Sequence, residues 1–279
     1  MSLSVSHSTL RRVRALGLWL VLGVACAPAS ALGCQSKQCQ SSVVFLTETS
    51  YPGVQLDSHG DVIGPTIDLM NILAERVGKE RVFYLMPWAR AMQRAQHTPR
   101  SILFETVRNA EREPLFKWVG PIMYFDMQLY GPPKLKGMNA EQISKNYVAC
   151  GYRGASYLPI LATLGFSEDT NLVLMKTQTD CLDMLRLGRA DVTPMNGFRR
   201  GDMYEEPQLR LVPLIPLNEV ALYMAFSLDF SDSEIALWQQ QLEQLYRDGT
   251  LRRFYQSNYP ARVIEKLEQL AGKSPNTAS

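Results

Sequence analysis

The chain has 279 residues, 46% apolar and 20% charged, with 29 Lys and Arg against 27 Asp and Glu. That length allows two ordinary domains, each with a real core, and excludes a fold that depends on a metal or a dense disulfide framework. The near balance of charge gives no drive toward nucleic acid, which is not expected as a partner.

Arg11, Arg12 and Arg14 precede a short apolar run from Ala15 to Ala27, and Ala29-Ser30-Ala31 follows. A basic flank, a short apolar stretch and an A-x-A site read as a cleaved secretory signal over residues 1–31. The run is short for a bilayer span. Removing it takes away three arginines and no acid, leaving 26 basic against 27 acidic residues, a net charge of −1. The competing reading is a lipoprotein anchored at Cys26 or Cys34. Neither cysteine has the usual leucine three positions before it, which weighs against that reading.

Val43 to Leu46 reads as a buried strand, and a Tyr-Pro-Gly turn at residues 51–53 follows. Pro65 suits the first turn of a helix, Ile67, Met70, Leu73, Ala74 and Val77 repeat at helical spacing, and Gly78 stops it. Arg81 to Leu85 is a second strand. Trp88, Ala91, Met92 and Ala95 mark a helix after Pro87, and Ile102 to Phe104 is a third strand. Strands alternating with helices at this spacing predict βαβ units and parallel sheets.

The middle of the chain repeats the theme. Tyr147 to Cys150 is a strand, and Gly154-Ala155-Ser156 opens a helix reaching about Leu164. Leu172 to Leu174 is a strand. Thr177, with Asp180 three residues on, caps a helix that Gly188 ends. Asp191-Val192-Thr193 starts another strand, and Leu211 to Leu214 is one more. The end differs: Val220 to Phe226 is strand-like, and Ser231 or Ser233 caps a long helix through Trp238, Leu242 and Leu245. Asp248-Gly249-Thr250 stops and restarts it. The tail after Pro260 is polar, with one amphipathic piece at Ile264 to Leu270 and a final KSPNTAS expected to be disordered. Seams fall at Gly131-Pro132-Pro133 and at Leu217 to Glu219. The chain leaves one lobe, builds a second, and returns.

Beyond residue 31 the cysteines are Cys34, Cys39, Cys150 and Cys181. Four cysteines in an oxidising compartment allow two disulfides in three connectivities. Cys150 ends a strand and Cys181 lies on the apolar stripe of a helix. A Cys150–Cys181 bridge is the preferred pairing; two buried thiols are the other reading. Cys34 and Cys39 enclose a small loop and leave a second bridge open.

Metal chemistry has little to work with: His59 and His97 are far apart and lack metal-ligand spacing. No nucleophile elbow, dinucleotide fingerprint or P-loop occurs, so no cofactor is expected. What remains is RNAEREPLFKWVGPI at Arg108 to Ile122, which sets fixed positive charge ahead of an apolar, strand-like run. It is either a solvated ion-pair face or an anion clamp at the mouth of a cleft.

That segment belongs to an ordered set of landmarks: GPTIDL at Gly64 to Leu69, PWARA at Pro87 to Ala91, RNAEREPLFKWVGPI, LGRADV at Leu187 to Val192, and LYRDGTLRRFY at Leu245 to Tyr255. Together, over about residues 42 to 258, they resemble the family 3 extracellular solute-binding proteins. The resemblance implies an α/β chain with the two-lobed type II periplasmic binding protein fold. Each lobe would be a mostly parallel sheet flanked by helices, and two crossing hinge strands would join them. Residues 41–130 plus 224–260 would form lobe 1 and residues 131–223 lobe 2, with 261–279 a partly disordered tail. The implied protein is a periplasmic monomer that shuts over a small-molecule ligand and hands it to an ABC permease or a membrane sensor.

Family roles fall on matching residues. Arg112 stands where amino-acid binders grip the ligand carboxylate, and Arg108 is the second candidate. A guanidinium meets a carboxylate with two parallel hydrogen bonds. The bland alternative for either is an ion pair with Glu105, Glu111 or Glu113. Tyr51 and Trp88 match positions that sandwich the ligand, and core packing is their alternative. Glu48 faces a ligand cation. Arg90, in PWARA, and Thr106, beside Val107 where a supporting Thr is common, complete the first lobe. From the second, Arg153 and Ser156 at a strand-to-helix turn offer an anion site. Trp118 reads as structural. Asn196 stands where α-amino-acid binders usually carry an Asp for the ligand ammonium. Glu48 would have to compensate, or the ligand is another small anionic solute. The enzymatic alternative is a periplasmic lyase of the cyclohexadienyl dehydratase type, with Glu48 or Glu105 as the acid.

Overall fold

The computed structural model describes residues 42–197 and 209–270. The expected signal segment, Cys26, Cys34, Cys39 and residues 271–279 lie outside them.

The chain opens with β1 (Ser42–Thr47), whose Val43, Phe45 and Leu46 are fully buried. A turn leads to a small hairpin, β2 (Gln55–Leu56) and β3 (Val62–Ile63). Next, α1 (Pro65–Arg76) starts on its proline and buries Ile67, Leu69, Met70, Leu73 and Ala74 along one stripe. After it come β4 (Glu80–Leu85), α2 (Trp88–His97) and β5 (Ser101–Val107). β1 lies between β4 and β5 and pairs with both in parallel, as the βαβ pattern requires.

Two long strands carry the chain between lobes: β6 (Lys117–Gly131) and, much later, β10 (Val212–Phe226). Each has 15 residues, and they run antiparallel from Lys117↔Phe226 to Val212↔Gly131. At about 3.4 Å per residue such a strand reaches roughly 50 Å, long enough to belong to two bodies. One end of the pair joins the first lobe through β5, which pairs with Leu222–Phe226 of β10. At the other end Met127–Tyr130 of β6 pair with β9 (Thr193–Asn196) of the second lobe. The resulting sheet, β4-β1-β5-β10-β6-β9, is therefore mixed: parallel within the first lobe and antiparallel where the hinge strands join.

Between the long strands lie α3 (Ala140–Asn146), β7 (Ala149–Tyr152), α4 (Leu158–Thr163), β8 (Leu172–Met175) and α5 (Gln178–Arg186). Asn139 with Gln142, and Thr177 with Asp180, close reciprocal capping boxes at α3 and α5. This lobe buries Leu129, Ile143, Tyr157, Leu161 and Phe166 in its own core. The first lobe's core is larger, stacking Phe45, Phe104, Phe226 and Trp238 edge to face.

The sequence reading and the structure part in three places. Leu211–Leu214 and Val220–Phe226 are not two strands but one, β10. Pro213 and Pro216 lie beside register shifts, in a stretch that pairs only with β6, where a missing N–H costs least. The helix expected from Gly154 begins at Leu158, because Gly154 sits at φ +76, outside helical geometry. The strand expected to start at Asp191-Val192-Thr193 does so, with a bridge at Val192 leading into β9. At the end, α6 (Asp232–Arg247), capped by Ser231 and Glu234, and α7 (Thr250–Tyr255) are followed by α8 (Ala261–Leu270). α8 is no loose tail: its Val263, Ile264 and Leu267 are buried in the first lobe's core.

Cys150 on β7 and Cys181 on α5 form a disulfide with Cα atoms 5.4 Å apart. It lies fully buried among Leu182, Leu185 and Met195. Closing a loop of this length should stabilise the protein by about 2–4 kcal/mol. The Cys150→Ala/Cys181→Ala double variant should lose that much in a denaturant melt. An unchanged midpoint would mean the bridge does not constrain the unfolded chain.

Candidate functional site

The cleft lies where the C-terminal ends of the first lobe's parallel strands face the second lobe, as expected for an open α/β sheet. After β1 come Glu48 and Ser50, after β4 comes Trp88 at the start of α2, and β5 delivers Glu105 and Val107. From the second lobe come Tyr152, Ala155, Ser156, Tyr157, Gln178, Met195 and Asn196. All of these line one cavity of about 60 Å³. A water needs roughly 10–15 Å³ on this scale, so the space is small but real. A side chamber of about 20 Å³, shared at Ser50, Glu105 and Asn196, continues it toward Tyr51, Gly53 and Tyr259.

Arg112 is the charged centre. It sits in the turn after β5, where its backbone N–H donates to Asn109 Oδ1 at 3.0 Å. Its side chain points inward and is 7% exposed. Nη1 donates to the Val107 carbonyl at 3.1 Å, and Nη2 crosses the cleft to the Gly154 carbonyl at 2.9 Å. It has no carboxylate partner among the described residues. Burial pushes its pKa below the ordinary value, against smaller upward pulls from Tyr152 and Glu111. A guanidinium nevertheless remains charged at neutral pH.

Trp88 supports the same contact. Its indole Nε1 donates to the same Gly154 carbonyl at 3.0 Å, and its ring centroid lies 5.3 Å from the guanidinium carbon. Glycine suits this turn for its backbone: φ is +76, a value L side chains avoid. Two donors from the first lobe thus meet on one acceptor from the second.

Glu105 stands out on its backbone. Its φ is +55, a left-handed value for a non-glycine residue, costing roughly 1–2 kcal/mol. The cause is a bulge. Thr106 faces Tyr223 and Leu103 faces Ala225, so Phe104 and Glu105 together oppose Met224 alone. Glu105 Oε1 accepts from Thr66 Oγ1 at 2.7 Å, in the first turn of α1.

Of the residues singled out in the sequence, Glu48, Trp88, Arg112, Ser156 and Asn196 line the main cavity. Tyr51 is 40% exposed and lines the side chamber but not the main cavity. Arg108 is turned to the surface, where it pairs with Glu113 through two hydrogen bonds of 2.7 and 2.6 Å beside Trp118 and Tyr223. Thr106 is fully buried and donates to the Leu103 carbonyl. Arg90 and Arg153 are exposed and line neither chamber. The turn at 153–156 presents the Gly154 carbonyl to the cleft.

Sequence reasoning missed Gln178, Tyr152 and Tyr157. Gln178 is buried and donates to Thr193 Oγ1 at 3.1 Å. The capping box at Thr177 fixed a helix start there, and that was the available signal.

No family model matches the sequence, and no curated protein sequence does. Solved structures do. An ancestral arginine-binding protein bound to arginine aligns at a TM-score of 0.70, covering 79% of this chain and 99% of that one at 15% identity. A putative binding component of an ABC transporter from Wolinella succinogenes DSM 1740, complexed with lysine, aligns at 0.69, covering 81% and 99% at 18% identity. An ancestral amino acid-binding protein described as a precursor of cyclohexadienyl dehydratase aligns at 0.66, covering 80% and 96% at 17% identity. The chain has the two-lobed periplasmic binding protein fold. At these identities the likeness speaks for the fold, and the chemistry must come from the cleft itself.

The hydrogen bonds from Trp88 and Arg112 to Gly154 join the two lobes across the cleft. Trp88→Phe keeps the ring over Arg112 but removes one of the two donors to Gly154. It should raise the radius of gyration of the unliganded protein in small-angle scattering while lowering its stability by about 1 kcal/mol or less. An unchanged radius would mean that this contact does not hold the lobes together.

Proposed function

We propose that the protein is a periplasmic solute-binding protein that closes over a small polar, carboxylate-bearing ligand, an amino acid or an organic acid. The observation that carries this reading is Arg112: a buried guanidinium in an interlobe cavity, with no carboxylate partner among the described residues. Burying a lone cation is costly, and an anion delivered by a ligand would offset that cost in a water-poor site. Trp88 would form one wall of the ligand site. Ser156, Gln178 and Asn196 would close on the ligand from the second lobe.

Closure follows only if the ligand binds the shut form better than the open one. A carboxylate on Arg112 contributes first-lobe affinity; contacts from the second lobe supply the difference. The liganded form would then be handed to an ABC permease for uptake or to a membrane sensor. Export by the N-terminal segment would place it in the periplasm, where Cys150–Cys181 can stay oxidised.

The enzymatic reading is a lyase on this scaffold. Glu48 and Glu105 both line the cavity and could serve as its acid, and one structural neighbour is described as a dehydratase precursor. Incubation with prephenate separates the two: phenylpyruvate formation would displace the binding reading.

The binding reading is tested by a thermal-shift screen of amino acids and organic acids, followed by calorimetry on Arg112→Ala. A true ligand should raise the melting temperature. Arg112→Ala should weaken that ligand at least about a hundredfold, the scale of losing a charge-assisted bidentate contact. The melting temperature of the unliganded variant should barely move, because two lost hydrogen bonds are offset by removing a buried cation. Undiminished affinity would remove Arg112 from the site.

A further inference from the structure

We infer that Glu105 determines specificity: it receives a cationic group of the ligand, so that the solute is a zwitterion rather than a simple organic acid. The inference rests on the solute-binding reading and narrows its ligand class.

Three observations carry it. The first is backbone geometry. Glu105 occupies the bulge of β5 at φ +55, where glycine is the ordinary occupant, so the chain tolerates strain to keep a side chain at this point. The second is a cradle. Gly53 packs so close that a Cβ there would lie 2.2 Å from Glu105 Oε1 and 2.7 Å from Thr66 Oγ1. The turn after β1 is therefore shaped around this carboxylate. The third is orientation. Thr66, in the first turn of α1, donates to Oε1 at 2.7 Å and fixes where the carboxylate points. Held there, the carboxylate lines both the main cavity and the side chamber.

The charge pattern of the cleft fits the same role. Arg112 supplies positive charge for a carboxylate. On the facing lobe Asn196, at the end of β9, lines both chambers and carries no charge. Among the described residues, negative charge in the cavity comes from Glu48 and Glu105, and of these two Glu105 also reaches the side chamber. A ligand whose carboxylate meets Arg112 would meet a carboxylate, not an amide, with its ammonium or guanidinium.

The test uses the full chain and two panels: the L-amino acids, and carboxylates without an amine such as succinate, glutarate and the deaminated analogues. Melting shifts should come from amino compounds only. By calorimetry, Glu105→Gln, which keeps an acceptor for Thr66, should weaken the best amino compound at least about tenfold. Its deaminated analogue should bind both proteins equally weakly. Glu105→Gly suits the left-handed backbone and should show the same loss without a lower melting temperature, so that failed folding cannot imitate the result. A dicarboxylate that binds as well as any amino compound, and that is lost in Arg112→Ala, overturns the inference while leaving the solute-binding reading intact. So does an amino compound whose affinity is untouched in both Glu105 variants. Silence from both panels counts against the solute-binding reading itself, and the inference falls with it.

Discussion

A positive charge sits almost fully buried between the two lobes, and much of the cleft is arranged around it. Arg112 touches carbonyls rather than carboxylates. Removing an ion from water costs several kcal/mol even after relaxation, whereas a hydrogen bond to a charged group returns about 1.5–3 kcal/mol. Two such bonds roughly balance the cost and leave little surplus. Because one of the two reaches across the cleft, the position of the lobes is tied to how well this guanidinium is solvated. An empty, shut cleft is then close to balance, and an anion on Arg112 adds interactions that the empty form lacks.

The hinge must transmit this small balance without breaking. It consists of two long strands paired antiparallel along their length. Midway along them Asp126 and Glu219 are directly opposite, a like-charge pairing that costs stability in a sheet. α8 neutralises it: Arg262 pairs with Asp126 at 3.1 Å, and Lys266, one turn on, pairs with Glu219 and lies 4.1 Å from the Tyr124 ring. These pairs are exposed and individually weak. Their placement nevertheless fixes the last helix across both hinge strands. The burial of Val263, Ile264 and Leu267 is what puts residues 261–270 in the first lobe's core.

The fold was legible because its signals are local and agree with one another. Pro65 starts α1, Thr177 with Asp180 starts α5, Ser231 starts α6, and the apolar stripes between them have helical period. The long hinge strand β10 was not legible, because Pro213 and Pro216 break the strand pattern and only pairing with β6 overrides them. In the site, Arg112, Trp88 and Asn196 could be placed because order along the chain fixed their structural positions. Arg108 could not be sorted from Arg112 by sequence. They lie four residues apart, and only the turn between β5 and β6 decides which one points inward. Glu105 was harder still: its role depends on a one-residue bulge whose cause, the opposition of two residues to Met224, is a property of pairing.

Charge placement has a consequence for how such a protein closes. Arg112 and Glu105 both belong to β5 and the turn after it, so the first lobe can read both charges of a zwitterion before the lobes meet. Among the described residues, what the second lobe adds to the cavity is neutral: the Gly154 carbonyl, Ser156, Gln178 and Asn196. Neutral hydrogen bonds contribute about 0.5–1.5 kcal/mol each, so the preference of the ligand for the shut form is modest. A ligand can shift an equilibrium only by that difference in affinity. Tight binding to the first lobe and gentle bias toward closure are therefore compatible, and the interlobe bonds from Arg112 and Trp88 to Gly154 bring the shut form within reach of that bias.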